Sequence, residues 1–355
     1  MQNEKRKVGK HLDIKSLYMD ELVEEMKKIG QPSFRAKQVY EWIHGKLVGS
    51  YDEMTNLSKE LRNNLKENYP LTVLKVVDSL ISEKDGTVKY LFRLSDDRVI
   101  ESVLMKYHHG NSVCISSQVG CRMGCTFCAS TIGGRERDLS ASEMLDQIYR
   151  IQAMSGERVS NVVVMGTGEP LDNYDNLVRF IRILSDFSGL NISARNITVS
   201  TCGIPDKIRL LAEEDLPITL ALSLHAPNNE IRKGLMPIAR QYELSEVMEA
   251  FLYYYDKTGR RLTFEYCLVE GLNDEEKHAR ELCKLVRGYN CHVNLIPINP
   301  IKERNFVKSD NNKILKFKNI LEKYRINVTI RREMGSDINA ACGQLRKSYL
   351  DHSGK

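Results

Sequence analysis

The chain has 355 residues, which is enough to bury the core of one long α/β domain or of two domains. Its composition, with 42% hydrophobic and 28% charged residues, is ordinary for a globular protein, and the net charge is only +5. No segment resembles the apolar core of a signal peptide or the ~20 apolar residues of a membrane span, so we expect a cytoplasmic protein with no membrane partner.

The first predicted elements are helices. Between residues 13 and 70, Leu17, Leu22 and Met26 belong to an apolar pattern with a spacing of three to four. The segment QPSFRAKQVYEWIH predicts a further helix that begins at Ser33. We therefore assign residues 1–70 to an N-terminal helical accessory domain.

The pattern then changes to β-strands. Residues 71–77, 88–94 and 99–105 are β-like runs, and Asp-Gly and Asp-Asp turn signals separate them. We expect a small antiparallel sheet, and we assign residues 71–111 to a β extension.

From residue 112 onward, short apolar runs alternate with longer helical stretches. Ser140 and Glu143 form an S-x-x-E capping box that predicts a helix over residues 140–154. Strand–helix alternation favours a parallel sheet, either open or closed into a barrel, and six units would make an incomplete TIM-like barrel over residues 112–300. The six runs are SVCISS, NVVVMG, ITVST, ITLALSLH, LTFEYCLV and HVNLIPIN, and a last β-like run, INVTIRR, lies in residues 301–355.

Unusual polar residues and cysteines follow the predicted strands where each strand ends. The cysteine-rich stretch follows the first run, Gly-Thr-Gly-Glu-Pro follows the second, and Ser200, Ser223–His225 and Asn299 end later runs. In parallel α/β folds the active site is built at this edge of the sheet. We therefore predict the functional site there.

Three cysteines in CISSQVGCRMGCTFCASTIGG have a C-x3-C-x2-C spacing, and Cys114 stands seven residues upstream of the first. In a reducing compartment, clustered thiols favour a metal site over disulfides. Three local thiolates suit a [4Fe–4S] cluster with one open iron. A zinc site completed by a distant Cys or His remains the alternative. The three cysteines are Cys121, Cys125 and Cys128.

The C-x3-C-x2-C run after the first strand of a βα array resembles the radical S-adenosylmethionine (SAM) superfamily. The runs FRAKQVYEWI, VVMGTGEPLDNYDN, SLHAPN and INAACGQLR narrow the resemblance to the RlmN branch of the RlmN/Cfr methyltransferases, over residues 13–346. The resemblance implies a radical SAM partial barrel of the (β/α)6 type. It also implies a [4Fe–4S] cluster on Cys121, Cys125 and Cys128, with SAM on the open iron. The positions that match SAM contacts are Gly168, Glu169, Ser200, Ser223, Leu224, His225 and Asn299.

The resemblance also implies roles for two further thiols and a carboxylate. Cys342 matches the cysteine that carries the methyl group as S-methylcysteine. Cys114 matches the resolving cysteine, which forms a transient disulfide with Cys342 when product leaves. Glu101 matches a proton acceptor. Cys202, Cys267, Cys283 and Cys291 match no role, and we expect them to be small buried side chains.

The implied reaction is methylation of adenine C2 in RNA, with two SAM molecules per turnover and a covalent protein–RNA intermediate. The implied substrates are an adenine of 23S rRNA in the peptidyl-transferase centre and the adenine 3′ of the anticodon in tRNA. Other implied properties are an electron donor such as flavodoxin or ferredoxin and a monomeric state. Alternatives are the C8 chemistry of the Cfr branch, a radical SAM enzyme for a small molecule, and a non-enzymatic zinc protein that binds RNA.

The C-terminal segment is a candidate for phosphate contacts. Residues 301–355 carry a net charge of +7, whereas residues 1–70 carry only +2. Phosphate backbones attract such a surface, although a charge run is also typical of a solvated face. The candidate phosphate contacts are Lys302, Arg304, Arg331, Arg332, Arg346 and Lys347.

Overall fold

A computed structural model describes residues 13–299 and 304–338 of the chain. The helices are α1 (Met19–Lys28), α2 (Phe34–Tyr40), α3 (Lys59–Asn68), α4 (Ala141–Ser155), α5 (Tyr174–Ser185), α6 (Pro205–Ala212), α7 (Asn229–Leu235), α8 (Leu244–Thr258), α9 (Glu276–Val286) and α10 (Asn311–Lys323). The strands are β1 (Lys75–Ile81), β2 (Val88–Arg93), β3 (Val99–Met105), β4 (Asn111–Cys114), β5 (Gln118–Gly120), β6 (Arg135–Asp138), β7 (Val159–Val164), β8 (Ile197–Thr201), β9 (Thr219–Ser223), β10 (Leu262–Leu268), β11 (Cys291–Pro297) and β12 (Asn327–Ile330).

The N-terminal helices pack on α4 and share one hydrophobic core with the sheet. Lys15 and Asp146 form a fully buried ion pair across this contact. Next to it, His44 Nδ1 lies 2.7 Å from the Tyr149 hydroxyl. Helices α1 and α2 lie where the sequence pattern predicted them, and α3 lies within the residues 13–70 that were expected to be helical. Ser33 stands at the N-terminal cap of α2, but its side chain accepts no capping hydrogen bond.

Ten strands form one sheet in the described part of the chain, in the order β1-β2-β3-β4-β7-β8-β9-β10-β11-β12. Strands β1 to β4 pair antiparallel, and every later pair is parallel. The expected antiparallel strands are present. They do not form a separate small sheet, because β3 pairs with β4 and so extends the parallel sheet.

The first strand begins four residues later than the sequence pattern predicted. Residues 71–74 form a connection bound to α4 instead, since the Leu74 N–H donates to Asp146 Oδ2 at 2.6 Å. Lys15 Nζ donates to the Thr72 carbonyl at 2.5 Å. Leu71 and Leu74 therefore pack into the hydrophobic core rather than pair in the sheet.

The parallel strands follow one another in chain order across the sheet, as in a βα barrel and unlike a doubly wound sheet, whose order reverses. The six predicted strands are all present, and β12 adds a seventh on β11. The sheet curls, because Glu101 of β3 and Arg331 beyond β12 line the same cavity. The fold is the expected incomplete barrel of the α/β class.

Helix α4 begins as predicted. The Ser140 hydroxyl accepts from the Glu143 N–H, and the Glu143 carboxylate accepts from the Ser140 N–H. This reciprocal pair satisfies two N–H groups that the first turn would leave without a partner. Across residues 13–299 and 304–338, none of the helices has the length and apolar character needed to cross a bilayer.

Candidate active site

The three closely spaced cysteines lie in a loop whose two ends are held together. Strands β5 and β6 pair antiparallel on either side of it. The Cys121 N–H donates to the Gly134 carbonyl at 3.0 Å. At Gly120, φ is +74° and an added Cβ would lie 2.0 Å from that same carbonyl oxygen, so this neck requires glycine. The sequence patterns did not predict this ribbon.

Inside the loop, the three thiols lie near one another and are largely removed from water. Burial raises the pKa of Cys121 to about 12, and the neighbouring Cys128 thiol adds to the effect. Burial also raises the pKa of Cys125 and of Cys128. These thiols therefore stay protonated at neutral pH until a metal displaces the protons.

The described residues contain no three His, Cys, Asp or Glu side chains that could share a single metal ion. This geometry does not exclude a [4Fe–4S] cluster, since each thiolate of a cluster binds a different iron. A buried cation beside the loop fits such a group. Arg232 of α7 is fully buried, its Nε and Nη1 have no hydrogen-bond partner, and it interacts electrostatically with Cys125.

Arg232 is held next to the cysteine loop by two contacts. Its Nη2 donates to the Cys202 carbonyl at 2.6 Å. One turn later, the Leu235 carbonyl accepts from the Thr126 N–H at 2.9 Å. A buried guanidinium with unused donors needs an anion, and a thiolate-bound iron–sulfur cluster is one. The donor set therefore fits the implied cluster.

The Gly-Thr-Gly-Glu-Pro segment follows β7 and passes very close to the end of β4. An added Cβ at Gly166 would lie 2.5 Å from the Ile115 carbonyl oxygen, and one at Gly168, where φ is +115°, would lie 2.7 Å from Gln118 Cβ. Both positions therefore require glycine. The close approach directs Glu169 into the interior, where its two oxygens accept from the Leu171 and Cys202 N–H groups.

Glu169 is buried, and burial raises its pKa, while the hydrogen bond from Cys202 opposes the rise. Each carboxylate oxygen can accept more than the one backbone bond it has here. The geometry suits recognition of an ammonium group, whose charge would compensate for the buried carboxylate.

Three further predicted residues lie at the ends of the next two strands. Ser200 of β8 and Ser223 of β9 are hydrogen-bonded through their hydroxyls at 3.2 Å. Leu224 is fully buried, and its N–H donates to the Glu265 carbonyl. The structure thus brings residues separated by more than twenty positions into one polar layer.

His225 is a buried histidine in a left-handed backbone conformation, with φ of +56°. Its Nδ1 accepts from the Cys267 N–H at 3.0 Å, and burial lowers its pKa to about 3. The ring is therefore neutral, with its proton on Nε2. Its edge-to-face contact with Phe127, at 4.9 Å between ring centroids, packs it against the cysteine loop.

A cavity of about 250 Å³ lies beside these residues, at the same edge of the sheet. It collects side chains from strands that are far apart in the sequence. Its lining includes Glu101, Cys114, Gly166, Asn299 and Arg331.

Cys114 and Glu101 lie in this cavity with cations near both. Burial raises the pKa of Cys114, and the Arg331 guanidinium opposes the rise. Lys89 of β2 is fully buried, and its Nζ lies 3.2 Å from Glu101 Oε2. The thiol and the carboxylate are therefore both placed where a ligand in the cavity could meet them.

Cys342, Lys302, Arg346 and Lys347 lie outside the described residues. Cys202, Cys267, Cys283 and Cys291 are all buried, as expected from the sequence. Sequence reasoning missed Lys89, Arg232 and Glu265. Lys89 and Glu265 did carry a signal, since each is a charged residue within a mostly apolar strand. Arg232 had none, because its helix is ordinary in sequence.

Two family models match the chain. The model described as "Radical SAM superfamily" matches residues 115–283. The model described as "Ribosomal RNA large subunit methyltransferase N-terminal domain" matches residues 12–70.

Similar proteins extend over nearly the whole chain. A protein of Lachnoclostridium phytofermentans named "Probable dual-specificity RNA methyltransferase RlmN" is 65% identical and covers 97% of each chain. A protein of the same name from Lachnospira eligens is 62% identical over 96% of this chain and 97% of its own. A radical SAM methyltransferase from Sphaerobacter thermophilus, whose crystal structure is known, shares 43% sequence identity with this chain. It superposes with a TM-score of 0.90 over 94% of this chain and 98% of its own.

Proposed function

We propose that this chain, which belongs to the RlmN family of radical SAM RNA methyltransferases, methylates C2 of adenine in 23S rRNA and in tRNA. The observation that supports this proposal most directly is the 250 Å³ cavity at the strand ends. It is lined by Cys114 and Glu101 together with Asn299, one of the residues that match SAM contacts. The radical SAM comparisons set aside a non-enzymatic zinc protein.

Cys121, Cys125 and Cys128 would hold the [4Fe–4S] cluster, with the buried Arg232 guanidinium compensating for its negative charge. Glu169 would accept hydrogen bonds from the amino group of SAM, and the Ser200–Ser223 pair and Asn299 would meet its other polar groups. When bound, the cluster and SAM supply the methyl group and the radical that activates it.

The chain's own residues would transfer the carbon in three steps. The Cys342 thiolate takes up the methyl group by displacement and becomes S-methylcysteine. The activated carbon would then bond to adenine C2 and link the RNA to Cys342. One electron would pass to the iron–sulfur cluster, and Glu101 would accept the C2 proton. Finally, the Cys114 thiolate attacks the Cys342 sulfur, and the carbon–sulfur bond breaks with its electron pair on carbon. That carbon takes up a proton to become the methyl group, and a disulfide forms as methylated RNA leaves. An external thiol system then reduces the disulfide.

Adenine in folded RNA has to leave its stack to reach this cavity. Arg331 and Arg332 are exposed at the cavity, which suits contacts to the phosphates on either side of the base. We propose that these arginines, together with the N-terminal helices, hold the RNA. Charge reversal at both positions should weaken RNA binding and reduce its salt dependence, and unchanged binding would exclude this face.

The decisive experiment is mass spectrometry of nucleosides from RNA treated with the reconstituted enzyme and SAM. We expect 2-methyladenosine, whereas 8-methyladenosine would refute the C2 assignment in favour of the Cfr chemistry. Cys114→Ala should accumulate RNA covalently bound to the protein. The control, Cys342→Ala, should neither methylate RNA nor trap it, and full activity of that variant would refute the carrier role.

A further inference from the structure

The turn that joins β1 to β2 binds a segment more than 250 positions away in the sequence. Ser82 Oγ donates to Asp337 Oδ1 at 2.6 Å, and the Glu83 N–H donates to Asp337 Oδ2 at 3.0 Å. The Gly335 N–H donates to Asp85 Oδ2 at 2.9 Å. Five residues, drawn from two short segments, therefore make a hydrogen-bonded contact with defined geometry.

The turn is rigid enough to act as a support, because it is closed by its own hydrogen bonds. The Ser82 N–H donates to the Thr87 carbonyl, and the Gly86 N–H donates to the Ser82 carbonyl. Asp85 links both sides of the contact, since its Oδ1 accepts from the Thr87 N–H while Oδ2 accepts from Gly335. Ser82 is 2% exposed, so its hydroxyl is directed at Asp337 from within the structure.

The bound segment is placed between the cavity and the segment that carries Cys342. Residues 331–334 line the cavity with Cys114, and residues 335–337 follow at once. Cys342 is five positions after Asp337 in the sequence, and a fully extended chain of that length reaches at most about 18 Å. The contact also connects the two edges of the open sheet, because the turn follows β1 and the bound segment follows β12.

We propose that the Ser82–Asp85 turn is a clasp that anchors residues 335–337, so that the segment carrying Cys342 starts at the cavity containing Cys114. Asp337, Asp85 and Ser82 are thus positioning residues for the meeting of the two cysteines. The role of the two cysteines in methylation rests on the proposed function, whereas the anchoring of residues 335–337 does not.

The test measures how fast Cys114 and Cys342 find each other in the full-length, cluster-reconstituted protein. Anaerobic protein is placed in a buffer of oxidised glutathione, and the Cys114–Cys342 disulfide is followed by mass spectrometry of peptides. Asp337→Ala removes two hydrogen bonds, worth about 1.4 kcal/mol together, so the disulfide should form about tenfold more slowly. Asp85→Ala should slow it in the same direction.

Glu83→Ala is the matched control, since Glu83 contributes only its backbone N–H to the contact. It should form the disulfide at the wild-type rate. The clasp would be refuted if the disulfide formed at the same rate in Asp337→Ala and Glu83→Ala. Thermal denaturation would first establish that both variants are folded.

A kinetic split separates positioning from RNA binding. Asp337→Ala should lower kcat for methylation and leave KM for RNA unchanged, and a rise in KM with constant kcat would instead place the turn at the RNA, against the proposal. The disulfide rate is independent of the methylation chemistry. If Cys342→Ala methylates RNA normally, the proposed function fails while the clasp is still tested by that rate.

Discussion

The buried pair of Lys89 and Glu101 offers the sharpest test of how the cavity is built. Lys89→Met keeps the length of the side chain and removes its charge. The Lys89 and Glu101 side chains are 0% and 2% exposed, and the charged atoms lie 3.2 Å apart. At an effective dielectric constant of about 20, their attraction is about 5 kcal/mol.

Most of that attraction offsets the cost of removing two charges from water. Removal of one partner is therefore the expensive change, because the other charge stays buried while it loses the opposite charge 3.2 Å away. We expect Lys89→Met to lower the free energy of unfolding by about 3–5 kcal/mol. Glu101→Gln should be costly for the same reason, and the double variant should recover much of the loss.

The assay is urea denaturation of the wild type, the two single variants and the double variant, under anaerobic conditions. The coupling between the two positions should be about 2 kcal/mol or more. Additivity within about 0.5 kcal/mol would refute the argument, because the two charges would then not stabilise each other. The argument would also be refuted if Lys89→Met had the same free energy of unfolding as the wild type.

Three further predictions follow from the described contacts. Gly166→Ala should lower the free energy of unfolding by about 3 kcal/mol and abolish methylation, because the new Cβ would meet the Ile115 carbonyl. The control is Gly234→Ala in helix α7, where an added Cβ has open space. Thermal denaturation should show that this variant is as stable as the wild type or more stable. Burial lowers the pKa of His44 to about 3, below the unfolded value near 6.5, so its contribution to stability is present above pH 6.5 and is lost as pH falls towards 3. His44→Gln should therefore lessen the loss of stability on acidification by about 1.4 kcal/mol per pH unit in that range, and an unchanged slope in pH-dependent denaturation would contradict this. Arg232→Met should stabilise the cluster-free protein by about 1 kcal/mol, because it removes buried donors that have no partner. In the reconstituted protein the same change removes a positive charge near the cluster, so the midpoint potential should become more negative. A less stable cluster-free variant would contradict this reasoning, because it would show that the donors are satisfied without the cluster.

Local patterns were sufficient for most elements of the fold. The capping box at Ser140 and Glu143 marked the start of α4, and six short apolar runs marked six parallel strands, since these features depend on neighbouring residues alone. The same patterns put β1 four residues too early. Only the packing of residues 71–74 on Asp146 decides that this stretch is a connection.

The sequence by itself determined the chemistry of the site. Thiol spacing at Cys121, Cys125 and Cys128 indicated a metal loop, and the Gly-Thr-Gly-Glu-Pro segment followed a predicted strand at the expected edge of the sheet. Resemblance to a known family then connected Cys114 and Glu101 to one reaction. Each of these signals is contained in a short run of residues.

Tertiary structure alone decided which side chains meet. Lys89 reaches Glu101 from a neighbouring strand, Arg232 lies beside Cys125 from a helix more than a hundred residues later, and Ser82 binds Asp337 from the opposite edge of the sheet. Such contacts carry no local periodicity, because they arise from the curl of the sheet rather than from sequence neighbours. The sequence therefore predicts which groups react, whereas the fold supplies the charged and supporting side chains around them.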